Sequence, residues 1–291
     1  MTVAVLGATG QLGQDVLTNL TARGVPPEEV VAIGRNQTKL AGLAGFGYRT
    51  ARADMADPSS VERALGGVSD LLLVSGLAAD RVRQHRDTIL AARRAGVRRV
   101  VYTSVLNADA PELRIADDHR ETETYLRSAG VDFTILRNAW YLENHRPDFD
   151  AARASGRIVA NLDAAPLASA TRADLAEAAA VVLLDAATHG GRTYELSGDY
   201  AWTYDDFAAI AAAELGRDVS YVAVTDEEYA ERLISFGMDA RTAGFLTSMN
   251  ADLRTGGMGI TTTDLSALIG RPATTLSQAV HGWAAAGRRS E

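Results

Sequence analysis

Seven residues near the start, Gly7-Ala8-Thr9-Gly10-Gln11-Leu12-Gly13, put three glycines at a spacing of three between an apolar run and an amphipathic segment. The run at 2–6 reads as a strand. Leu12, Val16, Leu17 and Leu20 recur at helical spacing. A glycine loop joining a strand to a helix admits few folds. In a dinucleotide-binding unit Gly7 permits the turn, Gly10 lets the backbone approach a pyrophosphate, and Gly13 lets the helix pack close to the strand. The helix start then offers unpaired N–H groups and the positive dipole end to phosphate. A plain glycine turn in a fold that binds nothing is the competing reading. No Gly-Lys-Ser/Thr follows, which argues against a nucleoside-triphosphate loop.

The rest of the first half alternates strand and helix patterns. Apolar runs at 30–33, 48–51 (weak), 70–74, 100–103 and 132–137 are separated by helical patterns, among them 81–95 and 117–128. Asp57 followed by Pro58 reads as a helix cap. The continuous Asp70-Leu71-Leu72-Leu73-Val74 suits a strand covered on both faces. The expected fold class is α/β: a doubly wound, Rossmann-type parallel sheet with a smaller α/β C-terminal substrate-binding region. Residues 1–140 are expected to form the dinucleotide-binding domain, joined by late elements at about 168–200. Residues 141–291 are expected to be mainly the C-terminal region.

Beyond residue 137 the pattern loosens. Strands are expected at 157–160, 192–196 and 219–224, and helices at 171–187 and 203–215. Thr171 with Asp174, Thr203 with Asp206, and Thr225 with Glu228 have the spacing of capping boxes. The acidic run 225–228 is therefore read as a helix start and not as a metal site. His85, His145, His189 and His281 show no metal-ligand spacing, and no metal is expected.

Composition narrows the chemistry. With no cysteine, thiol catalysis and thiolate metal sites are excluded. The formal charge of −8 is uneven: residues 1–145 carry 17 basic and 17 acidic side chains, residues 146–291 carry 12 and 20. The densest basic cluster, Arg93, Arg94, Arg98 and Arg99, falls where a helix ends, and is read as a solvated face. No nucleic-acid partner is expected. No signal peptide or membrane span is read, so the expectation is a cytoplasmic protein without a membrane partner; a homo-oligomer stays open.

The second strand bears on the cofactor. It ends Ile33-Gly34-Arg35-Asn36, without the acid that would hold a ribose 2′-hydroxyl. Arg35 can pair with a 2′-phosphate, which favours NADP over NAD. Asp54 is a candidate for the adenine amino group, with helix capping as its alternative. The Ser75-Gly76-Leu77 loop should line the cofactor at the C-terminal sheet edge.

These residues resemble the NmrA-like atypical short-chain dehydrogenases/reductases, and within them the bacterial type 2 NAD(P)H:quinone oxidoreductases and triphenylmethane dye reductases. The resemblance runs through GATGQLG at 7–13, VAIGRN at 31–36, QHRDTILAARRAGVRRVVYTS at 84–104, DDHRETE at 117–123, ILRNAWYLEN at 135–144, SATRADLAEAAA at 169–180, YELSGDYAWT at 194–203 and LIGRPATTL at 268–276. It implies that NADPH is held by Gly7, Ala8, Thr9, Gly10, Gln11 and Leu12, by Arg35, by Ser75, Gly76 and Leu77, by Asn138, Ala139, Trp140, Tyr141, Leu142 and Glu143, and by Arg172. Ala139 and Leu142 differ from some relatives. The loops GLAADRV after Ser75 and VLNADAPEL after Ser104 also differ, which bears on the acceptor.

Classical members of that superfamily use a Tyr-x-x-x-Lys pair to protonate an alkoxide. Lys39 is the only lysine of this chain, and 15 to 19 residues after Ser104 stand His119 and Glu123 instead. A quinone or cationic dye is electron-poor and needs mainly positioning beside the nicotinamide. His119 is the candidate for a proton relay, with a hydrogen-bonding role in its helix as the alternative. Tyr141 is the second catalytic candidate; Trp140 and Tyr141 either stack on nicotinamide or acceptor, or pack between the two parts of the chain. The glycines at 255–259 are read as a flap or an ordinary loop. The expected function is hydride transfer from NADPH to a small quinone-like acceptor. The alternatives are a non-catalytic NADP(H) sensor and a reductase of a dedicated conjugated carbonyl.

Overall fold

The computed structural model describes residues 2–288; Met1 and 289–291, the latter within the expected C-terminal region, lie outside the described residues. The apolar runs become strands β1 (Val3–Leu6), β2 (Val30–Gly34), β3 (Arg49–Arg52), β4 (Asp70–Leu73), β5 (Arg99–Val105) and β6 (Asp132–Asn138). Between them lie α1 (Gln11–Ala22), α2 (Gln37–Gly45), α3 (Pro58–Ala64), α4 (Arg81–Arg94) and α5 (Asp117–Ser128). Then come α6 (Arg146–Ser155), β7 (Arg157–Ala160), α7 (Arg172–Leu184), the short α8 (Ala186–His189) and β8 (Thr193–Leu196). The chain continues through α9 (Tyr204–Leu215), β9 (Ser220–Ala223), α10 (Asp226–Ser235), α11 (Ala240–Leu253), α12 (Asp264–Ile269) and α13 (Leu276–Arg288).

Seven strands form one parallel sheet in the order β3-β2-β1-β4-β5-β6-β8. The chain winds outward from β1 in one direction and from β4 in the other. Their shared edge is therefore the switch point where open α/β sheets receive ligands. The expected doubly wound α/β sheet is present. A second, two-stranded parallel sheet pairs β7 with β9.

Alternation along β4 shows why its sequence is continuously apolar. Leu72 joins a core with Leu17, Val101, Leu136, Leu175 and Ala179, whereas Leu71 and Leu73 join Ile33, Val61, Ile89 and Tyr102 on the opposite face. Helices cover both faces, so every side chain of the strand needs an apolar partner. β3 is at the sheet edge and mostly exposed, which fits its weak signal.

The arginine cluster is not uniformly solvated. Arg99 is fully buried, donating to Asp70 Oδ1 at 2.9 Å and to the Leu183 carbonyl at 2.8 Å. Burial of a guanidinium is tolerable only with such partners. Thr203 and Thr225 open α9 and α10 with complete capping boxes, and Thr171 Oγ1 accepts from Asp174 N–H at the start of α7. The acids at 226–228 thus belong to a helix start.

Candidate active site

The glycine loop is built as its spacing demands. Gly7 has φ +100°, outside the range comfortable for a side chain. Its amide and that of Ala8 both donate to the Ile33 carbonyl, at 3.0 and 3.1 Å, tying the loop to the end of β2. A Cβ on Gly13 would lie 2.4 Å from the Gly7 carbonyl oxygen, so only glycine lets α1 sit this close. α1 has no side-chain cap and no acid in its first turn. The Gly10 amide donates to the Gly7 carbonyl at 2.9 Å, so the free N–H groups and the dipole end of α1 begin at the exposed Gln11. Ala8 and Leu12 have buried side chains, leaving only their backbone for a ligand. The exposed start of α1, with its uncapped N–H groups beside the glycine turn, fits the phosphates of a dinucleotide.

At the end of β2, Arg35 is exposed. Lys39, one turn into α2, donates to the Thr9 carbonyl at 3.0 Å. Two cations thus stand beside the glycine loop, where a 2′-phosphate would need them. Lys39 was not among the expected cofactor residues, although its place just after the second strand already put it near the adenosine end; it stands four residues after Arg35 on a helix capped by Asn36. Asp54 is a turn residue: its Oδ1 accepts from the Ala56 amide at 3.0 Å.

Ser75, Gly76 and Leu77 follow β4 on the same edge. Val74 packs under Gly7, where a Cβ would approach it to 2.9 Å. The Ser75 amide donates to Thr103 Oγ1 at 2.9 Å, the Gly76 amide to His85 Nε2 at 3.2 Å, and Leu77 is 83% exposed.

The fourth group lies after β6. Asn138 is buried and its Oδ1 has no partner, an acceptor that suits a carboxamide. Ala139 and Leu142 point into the core. Trp140 and Tyr141 are half-buried against it, and Tyr141 pairs with Ala170 as an isolated bridge. Glu143 accepts from the Arg172 amide at 2.9 Å, and the Arg172 guanidinium lies 4.7 Å over the Tyr141 ring. Asp15 of α1 faces Arg172; burial raises its pKa and Arg172 lowers it in part. The four groups lie at the C-terminal ends of β1, β2, β4 and β6.

The catalytic candidates read differently in three dimensions. His119 and Glu123 do share one face of α5, next to Ser104. Yet Glu123 is fully engaged: it accepts from Ser104 Oγ at 2.6 Å and from Arg137 Nε and Nη2 at 2.9 and 2.7 Å. Arg137 also donates to Asp109 and Glu195. Burial alone would lower the Arg137 pKa; the hydrogen bonds to Glu123, Asp109 and Glu195 outweigh it and raise it. His119 is buried, with Nδ1 2.8 Å from the Tyr102 hydroxyl, and burial, then Arg81 and His85, push its pKa down to about 3. Held neutral, His119 carries no second proton near pH 7, so any relay through it would run along its hydrogen bond with the Tyr102 hydroxyl. Burial likewise raises the Tyr141 pKa, so it is a weak acid here.

The 255–259 loop is no free flap. The Ala168 amide donates to the Met258 carbonyl at 2.8 Å, Asn107 Nδ2 to the Gly257 carbonyl at 2.9 Å, and Met258 is buried.

Comparison with known proteins settles the family. A model of NAD(P)H-binding proteins matches residues 7–186. The chain belongs to this NAD(P)H-binding family. Other members give its neighbourhood. Quinone oxidoreductase 2 of Escherichia coli (strain K12) is 41% identical over 279 residues, 96% of this chain and 97% of that one. The structure of the NADPH-dependent quinone oxidoreductase from Escherichia coli complexed with NADPH superposes with a TM-score of 0.91 at 40% identity, covering 97% of this chain and 99% of that one. The Citrobacter sp. triphenylmethane reductase complexed with NADP(H) gives 0.92 at 34% identity, over 97% and 100%. These are the two groups that the sequence motifs resemble. Among the described residues, no helix is long and apolar enough to cross a membrane.

Proposed function

We propose that this chain is an NADPH-dependent reductase of small, electron-poor, quinone-like acceptors, working in the cytoplasm without a Tyr–Lys pair. The observation that carries the reading is the end of β2: Arg35 and Lys39 flank the glycine loop, and no carboxylate stands in the Ile33–Asn36 stretch to repel a 2′-phosphate. Similarity to reductases over nearly the full length supports the reaction class.

In this reading residues 1–140 with about 168–200 hold the dinucleotide, and the acceptor lodges against the remaining C-terminal region. Gly7–Leu12 receive the pyrophosphate, Arg35 and Lys39 the 2′-phosphate, and Asn138 the carboxamide. Tyr141, Glu143 and Arg172 brace that end. Bound NADPH supplies a hydride. The protein's part is orientation, because a reduced quinone is a weak base and takes its proton from water without a dedicated acid. Lys39, held at Thr9, is on the glycine-loop side, so it does not assist a tyrosine at β5.

One observation favours a second reading. The two side chains at the place of the pair, His119 and Glu123, are both immobilised, which equally suits a sensor that binds NADP(H) without turnover. The deciding experiment follows NADPH oxidation with a panel of simple quinones, a no-enzyme blank and NADH as control. Turnover with NADPH and little with NADH supports the reductase. Tight NADPH binding with no acceptor consumed overturns it in favour of the sensor.

A further inference from the structure

His85 lies on the buried stripe of α4 with Thr88, Ile89 and Ala92, where an apolar residue would serve packing better. It is fully buried, and its hydrogen bonds have a definite direction. The Gly76 amide can only donate, so Nε2, 3.2 Å away, carries the lone pair. The ring proton is then on Nδ1, which meets Thr122 Oγ1 at 3.2 Å. Thr122 passes its own hydroxyl proton to the Asp118 carbonyl at 2.8 Å. The Tyr102 ring packs edge-on at 5.4 Å, and its hydroxyl lies 3.5 Å from the same Nδ1. Burial, with Arg81 adding and Asp118 opposing, holds the ring neutral, its pKa pushed down to about 4. The lone pair at Nε2 is therefore available throughout the neutral range.

This acceptor is placed where the sheet runs out of backbone partners. Val74 is the last residue after β4 to bond the backbone of a neighbouring strand, through its amide and the Leu6 carbonyl. The next two amides turn instead to side chains, Ser75 to Thr103 and Gly76 to His85. The loop they shape adjoins the glycine cradle through Val74 and Gly7.

We propose that His85 is a positioning residue for the cofactor: its Nε2 anchors the Gly76 amide and keeps residues 75–77 in the shape that receives the dinucleotide. The inference rests on the NADPH reading above. It assigns no contact between His85 and NADPH.

Two isosteric variants separate the ring nitrogens. In His85→Gln the side-chain oxygen can stand where Nε2 was; in His85→Asn only the Nδ1 position is mimicked. NADPH affinity is measured by quenching of tryptophan fluorescence with no acceptor present. Wild-type protein that binds NADPH but reduces no quinone would thus sink the functional reading without obscuring this test. The expected result is that His85→Asn weakens NADPH binding about tenfold and His85→Gln less than about threefold. With a quinone, KM for NADPH should rise in the same order while kcat at saturating NADPH moves less than about twofold. Equal weakening by both variants, or no weakening by folded His85→Asn, overturns the proposal. A third variant covers the case of a misfolded His85→Asn. Thr122→Val keeps the volume but leaves Nδ1 only the more distant Tyr102 hydroxyl at 3.5 Å, and should weaken NADPH binding by about threefold; unchanged binding overturns the proposal. In the wild-type protein the Gly76 amide should exchange with solvent far more slowly than that of Leu77, and equal rates also overturn it.

Discussion

At the scale of single residues, the site is made of side chains whose partners decide their roles. Arg35 is exposed beside a cradle, so its removal should cost binding and not folding. Arg35→Ala should raise KM for NADPH about tenfold or more and leave KM for NADH nearly unchanged, read by steady-state kinetics with both cofactors. A parallel rise for NADH would remove the 2′-phosphate from its role. Arg137 is the opposite case. It is buried and neutralises Glu123, which is itself 3% exposed. Arg137→Met would leave that buried carboxylate with only the Ser104 hydroxyl and, at 3.6 Å, Arg127, and should destabilise the protein by about 3 kcal/mol in chemical denaturation. A loss below about 1 kcal/mol would mean that Glu123 finds water or protonates readily.

At the scale of elements, α1 is the critical piece. Its inner residues Leu12, Val16, Leu17 and Leu20 pack on the sheet and α7, and Gly13 sets how near it can come. Gly13→Ala would press a methyl group into the Gly7 backbone. The expected cost is about 1–3 kcal/mol of stability in thermal or chemical denaturation, with NADPH binding impaired because the cradle itself must shift. Unchanged binding would show that the loop is more adaptable than its contacts indicate. The sequence revealed β1, β2, β4, β5, β6 and α1 well, because their apolar periods arise within each segment. It revealed α7, α9 and α10 through threonine caps. It was silent on α6 and α11, and it misplaced Arg99 on a solvated face. Arg99 is buried because Asp70 and the Leu183 carbonyl, distant along the chain, wait for it across β4 and α7.

At the scale of the molecule, buried histidines make the fold sensitive to acid. Burial pushes the pKa of His85 to about 4 and those of His119 and His145 to about 3, against an ordinary value of 6.5. Below pH 6.5 the unfolded chain binds more protons at these groups than the fold does, so stability falls with falling pH. Each contributes about 1.4 kcal/mol per pH unit between 6.5 and its folded pKa. Asp148 works the other way. Burial raises its pKa to about 6, so between 3.8 and 6 the fold holds the extra proton and gains as pH drops. The three histidines, joined by His189, whose pKa burial also lowers, outweigh Asp148 and Asp15, whose pKa values burial raises, so the fold should lose stability from pH 7 to pH 5. Denaturant midpoints at pH 7 and pH 5 test this, and equal midpoints would refute it. By itself the sequence determined the α/β rhythm, the strand–glycine–helix cradle and the absence of an acid at the end of β2, since backbone stereochemistry and local periodicity act over a few residues. The tertiary structure alone decided that Lys39 reaches Thr9, that Arg137 claims Glu123, and that His85 lies under Gly76. Those pairings join separate elements, and strand order and helix packing, not spacing along the chain, bring their atoms within hydrogen-bonding range.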